Sequence, residues 1–306
     1  VPHNMEPVRD AKKAGIQVTG ETELSSRLID TPMIAVTGTN GKSTVTALLG
    51  ALLKNANLKV FVGGNIGTPL IAYIDGGEKA DYVVVEVSSF QLDTIETFCP
   101  FISILLNISP DHLDRYTSYE DYTRSKLRIF RNQKAGTYVI LNDDDEILSS
   151  INPPSGVSVI RFGVKRKEGR HAYVQDNDIK ASLTGREHIR FSLKPFRLPG
   201  KHNLENLLAV IPVGLILGIE PTVIQQTIGE FKGLPNRLEH VAEFSGVEFY
   251  NDSKATNVDA AVRAITSFDK PVILIAGGRH KGADYDRLVK AAKGGARKAI
   301  FLGEEK

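Results

Sequence analysis

One cysteine, no tryptophan and two methionines among 306 residues exclude several kinds of chemistry at once. A single Cys99 cannot form an internal disulfide, and such sparse cysteine fits a reducing compartment. Cys99 precedes Pro100 and has no Cys or His partner nearby in sequence, so it reads as structural. An excess of one charge is also missing. Thirty-eight Lys and Arg face 36 Asp and Glu, a balance that points to neither nucleic acid nor an anionic membrane. Long hydrophobic runs are absent. The longest, Leu207–Ile219, contains Pro212 and Gly214 and is too short to span a bilayer, so it predicts a buried helix. No signal-peptide pattern opens the chain. It starts at Val1 and stops just after the apolar run Ala299–Leu302, so both ends are expected to be cut from something longer.

What the chain does carry is organised around Thr37-Gly38-Thr39-Asn40-Gly41-Lys42-Ser43-Thr44. The apolar run Met33–Val36 leads in, and a helical pattern from Ser43 to Ala56 leads out. Strand, Gly-rich turn, Lys-Ser and helix is the layout of a phosphate-binding loop. Gly38 and Gly41 let the backbone approach an anion, and the helix start aims free N–H groups at it. Lys42 can neutralise a phosphate, and the Ser43 hydroxyl can ligate Mg²⁺. Val36 stands where the commoner spacing has its first Gly. The alternative, an ordinary Gly turn before a helix, is disfavoured because strand, Gly-Lys-Ser and helix are all in place.

From Pro32 onward, short apolar strands alternate with helices. Strands are expected at Met33–Thr37, Lys59–Val62, Tyr82–Val87, Ile102–Leu106, Tyr138–Leu141 and Val157–Phe162. Helices are expected at Ser43–Ala56, Tyr119–Phe130 and Asp144–Ser149. The pattern predicts a mostly parallel α/β sheet covered on both faces, with ligands at the carboxyl ends of its strands. Three short strands within residues 170–199 predict a small antiparallel patch. Two helices follow, one from Gly200 to about Leu217 and one from Pro221 to about Phe231. After the linker signal Gly233-Leu234-Pro235-Asn236, a second α/β pattern reads as the front of a Rossmann-like domain.

Other residues gain weight from their place beside the loop. Glu86 closes the strand Tyr82-Val83-Val84-Val85-Glu86 and either holds the nucleotide's Mg²⁺ or caps the next helix. On its residues alone, Ser109-Pro110-Asp111-His112-Leu113-Asp114 reads as a capped turn with a solvated His112, though His112 could reach a metal. Lys126 reads as a solvated lysine on a helix whose Tyr122, Leu127 and Phe130 form a buried stripe. Asn251-Asp252-Ser253-Lys254-Ala255-Thr256-Asn257 either meets phosphate and Mg²⁺ or caps a helix through Thr256 or Asn257. Ala276-Gly277-Gly278-Arg279-His280-Lys281-Gly282 resembles an anion loop.

Together, Gly38–Ser43, Gly63–Gly67, Glu86–Leu92, Asp111–Tyr116, Lys126–Ile129 and Asn251–Asn257 resemble the Mur ligases, ATP-dependent amide-forming enzymes of peptidoglycan synthesis. The Asn251–Asn257 segment resembles the branch that adds D-glutamate to UDP-N-acetylmuramoyl-L-alanine. The resemblance implies a remnant of a UDP-binding domain at residues 1–20, a central ATP-binding domain at 21–233 and the front of a C-terminal ligase domain at 234–306. It implies that Gly38, Thr39, Asn40, Gly41, Lys42, Ser43 and Thr44 hold ATP, with Asn206, Arg237, Asp252 and Lys254. Two Mg²⁺ sites are implied, one on Ser43 and Glu86, the other on His112 and a carbamylated Lys126, which reverses the solvated reading of that lysine. Asn65, His112, Lys254, Thr256 and Lys281 are implied to face substrate. Lys42, Glu86, His112 and Lys126 are the implied catalytic set. Asn236 departs from the family's His, and His280 stands where an Asp is common. A cytoplasmic monomer without membrane insertion or nucleic acid is expected. Two alternatives stay open: another amino-acid ligase of the superfamily, and a nucleotide-binding fragment without turnover.

Overall fold

The computed structural model describes residues 5–77, 79–111, 115–184, 187–278 and 284–303. Nine strands form its largest sheet: β1 (Met33–Thr37), β2 (Val60–Gly64), β3 (Tyr82–Glu86), β4 (Ile102–Leu105), β5 (Tyr138–Asn142), β6 (Ser158–Phe162), β7 (Ala172–Gln175), β8 (Asp178–Ala181) and β9 (Ile189–Ser192). Their order is β2-β3-β1-β4-β5-β6-β7-β8-β9. The first six run parallel, and β7, β8 and β9 pair antiparallel, as the α/β pattern with its appended patch predicts.

The helices are α1 (Glu6–Lys13), α2 (Glu21–Ser26), α3 (Lys42–Asn55), α4 (Ile71–Asp75), α5 (Ser89–Leu92), α6 (Tyr119–Leu127), α7 (Glu146–Ser150), α8 (Lys201–Ile216), α9 (Pro221–Glu230), α10 (Val258–Ile265) and α11 (Asp286–Gly295). A 3₁₀ turn, Arg128–Phe130, extends α6. The short α4 and α5 go beyond the expected set. Yet α5 has a full capping box, Ser88 with Gln91, which the Ser-x-x-Gln spacing could have shown.

Alternation along the strands feeds two cores. In β1, Ile34 and Val36 enter one apolar cluster, while Met33 and Ala35 enter the other. Val84 of β3 joins the first, and Val83 and Val85 join the second. A strand buried on both faces is therefore apolar throughout, which is why β1 and β3 read as continuous runs. The first cluster is closed by Val45, Leu48, Leu49, Leu52 and Leu53 of α3, spaced for one helix face, together with α8 and α9. The apolar stretch predicted as a buried helix lies within and just beyond α8, which continues through Pro212.

Beyond residue 236, the expected α/β pattern resolves into two smaller sheets. β10 (Glu239–Phe244) and β11 (Val247–Asn251) form an antiparallel hairpin, and β12 (Val272–Gly277) pairs in parallel with β13 (Ala296–Leu302), with α11 between them in sequence. Among the described residues, no helix is long and apolar enough to cross a membrane.

Candidate active site

β1 ends at Thr37, and the chain turns through Gly38–Gly41 into α3, at the carboxyl edge of the parallel sheet. Gly41 sits at φ +89°, where a side chain is strained, and a Cβ there would lie 2.4 Å from Asn206 Oδ1. No side chain caps the start of α3, so its first-turn N–H groups remain available to an anion. The loop is fixed from behind by the segment leaving β4. Asn107 Oδ1 accepts from the Asn40 N–H at 2.8 Å, and Asn107 Nδ2 donates to Asn40 O at 3.0 Å. The Thr39 N–H donates to Asn107 O, and Thr39 Oγ1 accepts from the Ser109 N–H.

Two lysines converge on this loop. Lys42 Nζ donates to Gly38 O and Thr39 O, both at 2.9 Å, and Lys126 Nζ donates to Gly38 O at 2.8 Å. The solvated reading of Lys126 is overturned: the residue is 2% exposed, and its Nζ lies 4.7 Å from the centre of the Tyr122 ring. Tyr122 in turn shares a hydrogen bond with Thr39 Oγ1. Burial, reinforced by the Lys42 ammonium, pushes the Lys126 amine well below the usual lysine range. Burial also lowers Lys42, against the opposing pull of Glu86 and Asp111.

Glu86 ends β3 opposite Val36 in the strand register. It does not cap the following helix, because Ser88 performs that role. Its Oε1 accepts from Asn65 Nδ2 at 2.8 Å, while its buried Oε2 has no hydrogen-bond partner. A buried carboxylate oxygen without a partner calls for an explanation, and a cation is one. Hard oxygen donors on Glu86 and Ser43 beside an anion loop suit Mg²⁺, which favours one or two carboxylates plus phosphate oxygens.

The C-terminal segment closes the other side. Arg237 Nη2 donates to Ser43 Oγ at 2.8 Å. Gly41, Thr44, Asn206, Arg237, Asp252 and Lys254 line one cleft. Burial pushes the Asp252 carboxyl up, opposed by the Leu238 N–H and by Arg237. Asn236 has φ +62° and accepts from Asn251 Nδ2 at 2.7 Å, a left-handed position that Asn tolerates. Asn65 is tied to Glu86, whereas Thr256 is exposed and does not line the cleft. Asn257 is the N-cap of α10, and its Nδ2 also donates to Asp111 at 3.1 Å. His112 and Lys281 lie outside the described residues, as do Arg279 and His280.

Several residues here were not singled out from sequence. His202 and Asn203 line the same cleft as Asn206. Burial, with the Arg263 cation, pushes His202 down to about 4, so it is neutral. Asp259 and Arg263 of α10 were missed because an acid in a first turn and a base in a last turn are ordinary for a solvated helix.

Comparison with known proteins bears on this site. Residues 36–214 match the Mur ligase middle domain, and residues 236–306 match the Mur ligase glutamate ligase domain. The chain is 43% identical over 304 residues to the UDP-N-acetylmuramoylalanine–D-glutamate ligase of Thermoanaerobacter pseudethanolicus, covering 99% of this chain and 67% of that protein. The ligase of the same name from Pelotomaculum thermopropionicum gives the same figures. The chain thus spans about two thirds of these relatives' length. Among solved structures, MurF from Acinetobacter baumannii superposes with a TM-score of 0.72 at 18% identity, over 93% of this chain and 66% of that one. MurF from Thermotoga maritima, solved in complex with ADP, gives 0.68 at 19% identity over 92% and 73%. The structural likeness shows the fold, the sequence identity shows the kinship, and the chain belongs to the Mur ligase family.

Proposed function

We propose that this chain is the nucleotide-binding and part of the ligase machinery of an ATP-dependent enzyme that joins D-glutamate to UDP-N-acetylmuramoyl-L-alanine. The reading rests on one observation: Lys42 and Lys126 converge on Gly38 O beside a buried, unpartnered Glu86 oxygen at a phosphate-type loop. The 43% identity to ligases of that name supports the choice of substrates. Residues 1–20, 21–233 and 234–306 are read as the UDP-domain remnant, the ATP-binding domain and the front of the ligase domain. A cytoplasmic, monomeric enzyme belongs to the same reading.

In this mechanism the L-alanine carboxylate attacks the γ-phosphorus of ATP, giving an acyl phosphate and ADP. The D-glutamate amine then adds to the acyl carbon, and phosphate leaves from the tetrahedral intermediate. The loop N–H groups and Lys42 hold the phosphates and neutralise charge as the γ-phosphoryl moves. Glu86 and Ser43 would hold Mg²⁺, which when bound supplies further charge neutralisation. Asn206 contacts the adenine, and Arg237, Asp252 and Lys254 approach from the C-terminal side. By the same reading Asn65, Thr256 and Lys281 would serve the substrate and not the nucleotide cleft.

Lys126 takes a different part. A neutral amine can add to CO₂ and lose a proton, giving an anionic carbamate. Burial beside Lys42 favours the neutral form that this addition requires. As a carbamate, Lys126 would offer oxygen donors, with His112, to a second Mg²⁺.

The test is phosphate release from Mg-ATP with UDP-N-acetylmuramoyl-L-alanine and a panel of amino acids, using this chain and the chain extended to its relatives' length. D-glutamate-dependent release is expected. Release driven by a different amino acid would overturn the substrate assignment. Nucleotide binding without release in either protein would favour a binding fragment.

A further inference from the structure

The tip of the phosphate loop is gripped by a part of the chain more than 200 residues away. The Asn40 side chain points out of the loop, and both ends of its carboxamide meet the start of α10. Asn40 Nδ2 donates to Asp259 Oδ2 at 2.9 Å. Asn40 Oδ1 accepts from Asn257 Nδ2 at 3.4 Å. The backbone of the same residue is held by Asn107, so Asn40 has no slack on either side.

Asp259 is 9% exposed and is itself held by several groups. Arg263 Nε donates to its Oδ2 at 2.8 Å, Arg287 Nη2 to its Oδ1 at 3.3 Å, and Ser109 Oγ to its Oδ2 at 3.4 Å. Arg263 also pairs with Glu205 of α8 at 3.6 Å. One carboxylate therefore collects the phosphate loop, the segment leaving β4, α10 and α11. A carboxylate near an anion-binding loop would repel phosphate if left bare. Two guanidiniums neutralise it, so it can act as a hydrogen-bond acceptor for the loop without opposing the nucleotide.

We propose that Asp259 is a positioning residue for nucleotide binding, acting through Asn40 to lock the phosphate loop to the C-terminal segment. Its own partners are Asn40, Ser109, Arg263 and Arg287. The clasp joins two bodies that both contribute to the cleft: the loop with Gly41 and Thr44, and the C-terminal side with Arg237 and Lys254. Loop geometry and closure of the cleft are then one equilibrium, and a nucleotide that needs both sides favours the clasped state. This rests on the nucleotide-binding reading above.

The experiment is a double-mutant cycle read by calorimetric titration of Mg-ADP into this chain. Asn40→Ala, Asp259→Ala, the double variant and Lys42→Ala are compared with the parent, and each melting midpoint is recorded. Each clasp variant is expected to weaken binding about five- to tenfold, and the double variant no more than either single, because the two residues form one contact. A merely structural role would move the melting midpoint without this non-additivity. Parent-like affinity in Asp259→Ala, or losses that multiply in the double variant, would overturn the clasp while loss of binding in Lys42→Ala left the nucleotide site standing. Unchanged binding in Lys42→Ala would remove the nucleotide reading and the clasp with it. If Asp259→Ala does not fold, the cycle is run with Asp259→Asn, which keeps the side-chain volume and gives up the charge that holds Arg263 and Arg287.

Discussion

Lys42 and Lys126 donate to the same carbonyl oxygen, Gly38 O, at 2.9 and 2.8 Å. Two ammonium groups sharing one acceptor in a buried setting disfavour both being charged. Lys126 is the more deeply buried of the two. Replacing it separates its two possible roles. Lys126→Ala is expected to keep Mg-ADP binding within about tenfold while ligase turnover falls at least about 100-fold, if it acts on the transferred group and not on the nucleotide. Short carboxylates added to Lys126→Ala are expected to restore part of that turnover. Lys126→Arg is expected to restore none, since a guanidinium stays charged and forms no carbamate. Steady-state phosphate release with and without acetate is the measurement, and normal turnover in Lys126→Ala would remove the carbamate.

Gly41 carries two constraints at once. Its φ of +89° disfavours any side chain, and a Cβ would press on Asn206 Oδ1 at 2.4 Å. Gly41→Ala is expected to lose about 1–2 kcal/mol of stability from backbone strain alone. Mg-ADP affinity is expected to fall by more than about tenfold, because Asn206 must move and it lines the same cleft. Denaturant unfolding and calorimetry on one preparation check both. A stable variant with parent-like affinity would show that the loop is not held in this conformation when nucleotide binds.

Arg237 reaches from the C-terminal segment to the hydroxyl of Ser43 at the first turn of α3. A half-buried guanidinium there adds positive charge where phosphate and Mg²⁺ are proposed to sit. Arg237→Ala is expected to weaken Mg-ADP about tenfold, the scale of one charge-assisted hydrogen bond, with little change in melting midpoint. Stronger binding in the variant would mean that Arg237 competes with the metal for Ser43 and does not assist the nucleotide.

These sites differ in how plainly they could be read from sequence. The phosphate loop was legible because strand, Gly-Lys-Ser and helix are contiguous, and local chemistry dictates all three. Glu86 was half legible: its position at a strand end was plain, but its unpartnered Oε2 emerges only once β3 lies against β1. Lys126 shows the limit. Its helix, Tyr119–Leu127, carries four charged residues, so composition marks it as solvated, and only packing over Tyr122 and the β1 loop buries the amine. The resemblance to a family supplied what local pattern could not. Asp259 escaped both, since its partners Asn40, Ser109 and Arg287 come from three distant segments. The α/β class and the antiparallel patch followed from periodicity. The pairing of β10 with β11 and of β12 with β13 as two separate small sheets did not, because alternation says which residues form strands and not which strands meet.

Glu23 of α2 makes the strongest case for a stability test away from the active site. Its side chain is fully buried, and it accepts from Arg27 Nε, the Thr97 N–H and Thr97 Oγ1 at Oε1, and from the Glu96 and Phe98 N–H groups at Oε2. Burial alone would raise its pKa. The donors from Thr97, Glu96 and Arg27 outweigh burial and hold the carboxyl at about 2. The folded value thus lies below the ordinary 4.5 of the unfolded chain, so the folded state binds the proton more weakly than the unfolded state. The stabilisation is then fully present above about pH 4.5 and is lost as the pH falls towards 2. Glu23→Gln keeps the shape but turns an amide NH₂ towards backbone N–H groups, which can only donate. It is expected to cost about 2–3 kcal/mol at neutral pH. The gap between the two proteins should narrow as the pH drops from 4.5 to 2, because protonation weakens the parent's clamp and leaves the glutamine untouched. Urea unfolding of both proteins across that range reads the difference directly. A gap that stays constant with pH would mean that Glu23 acts through shape and not through its charge.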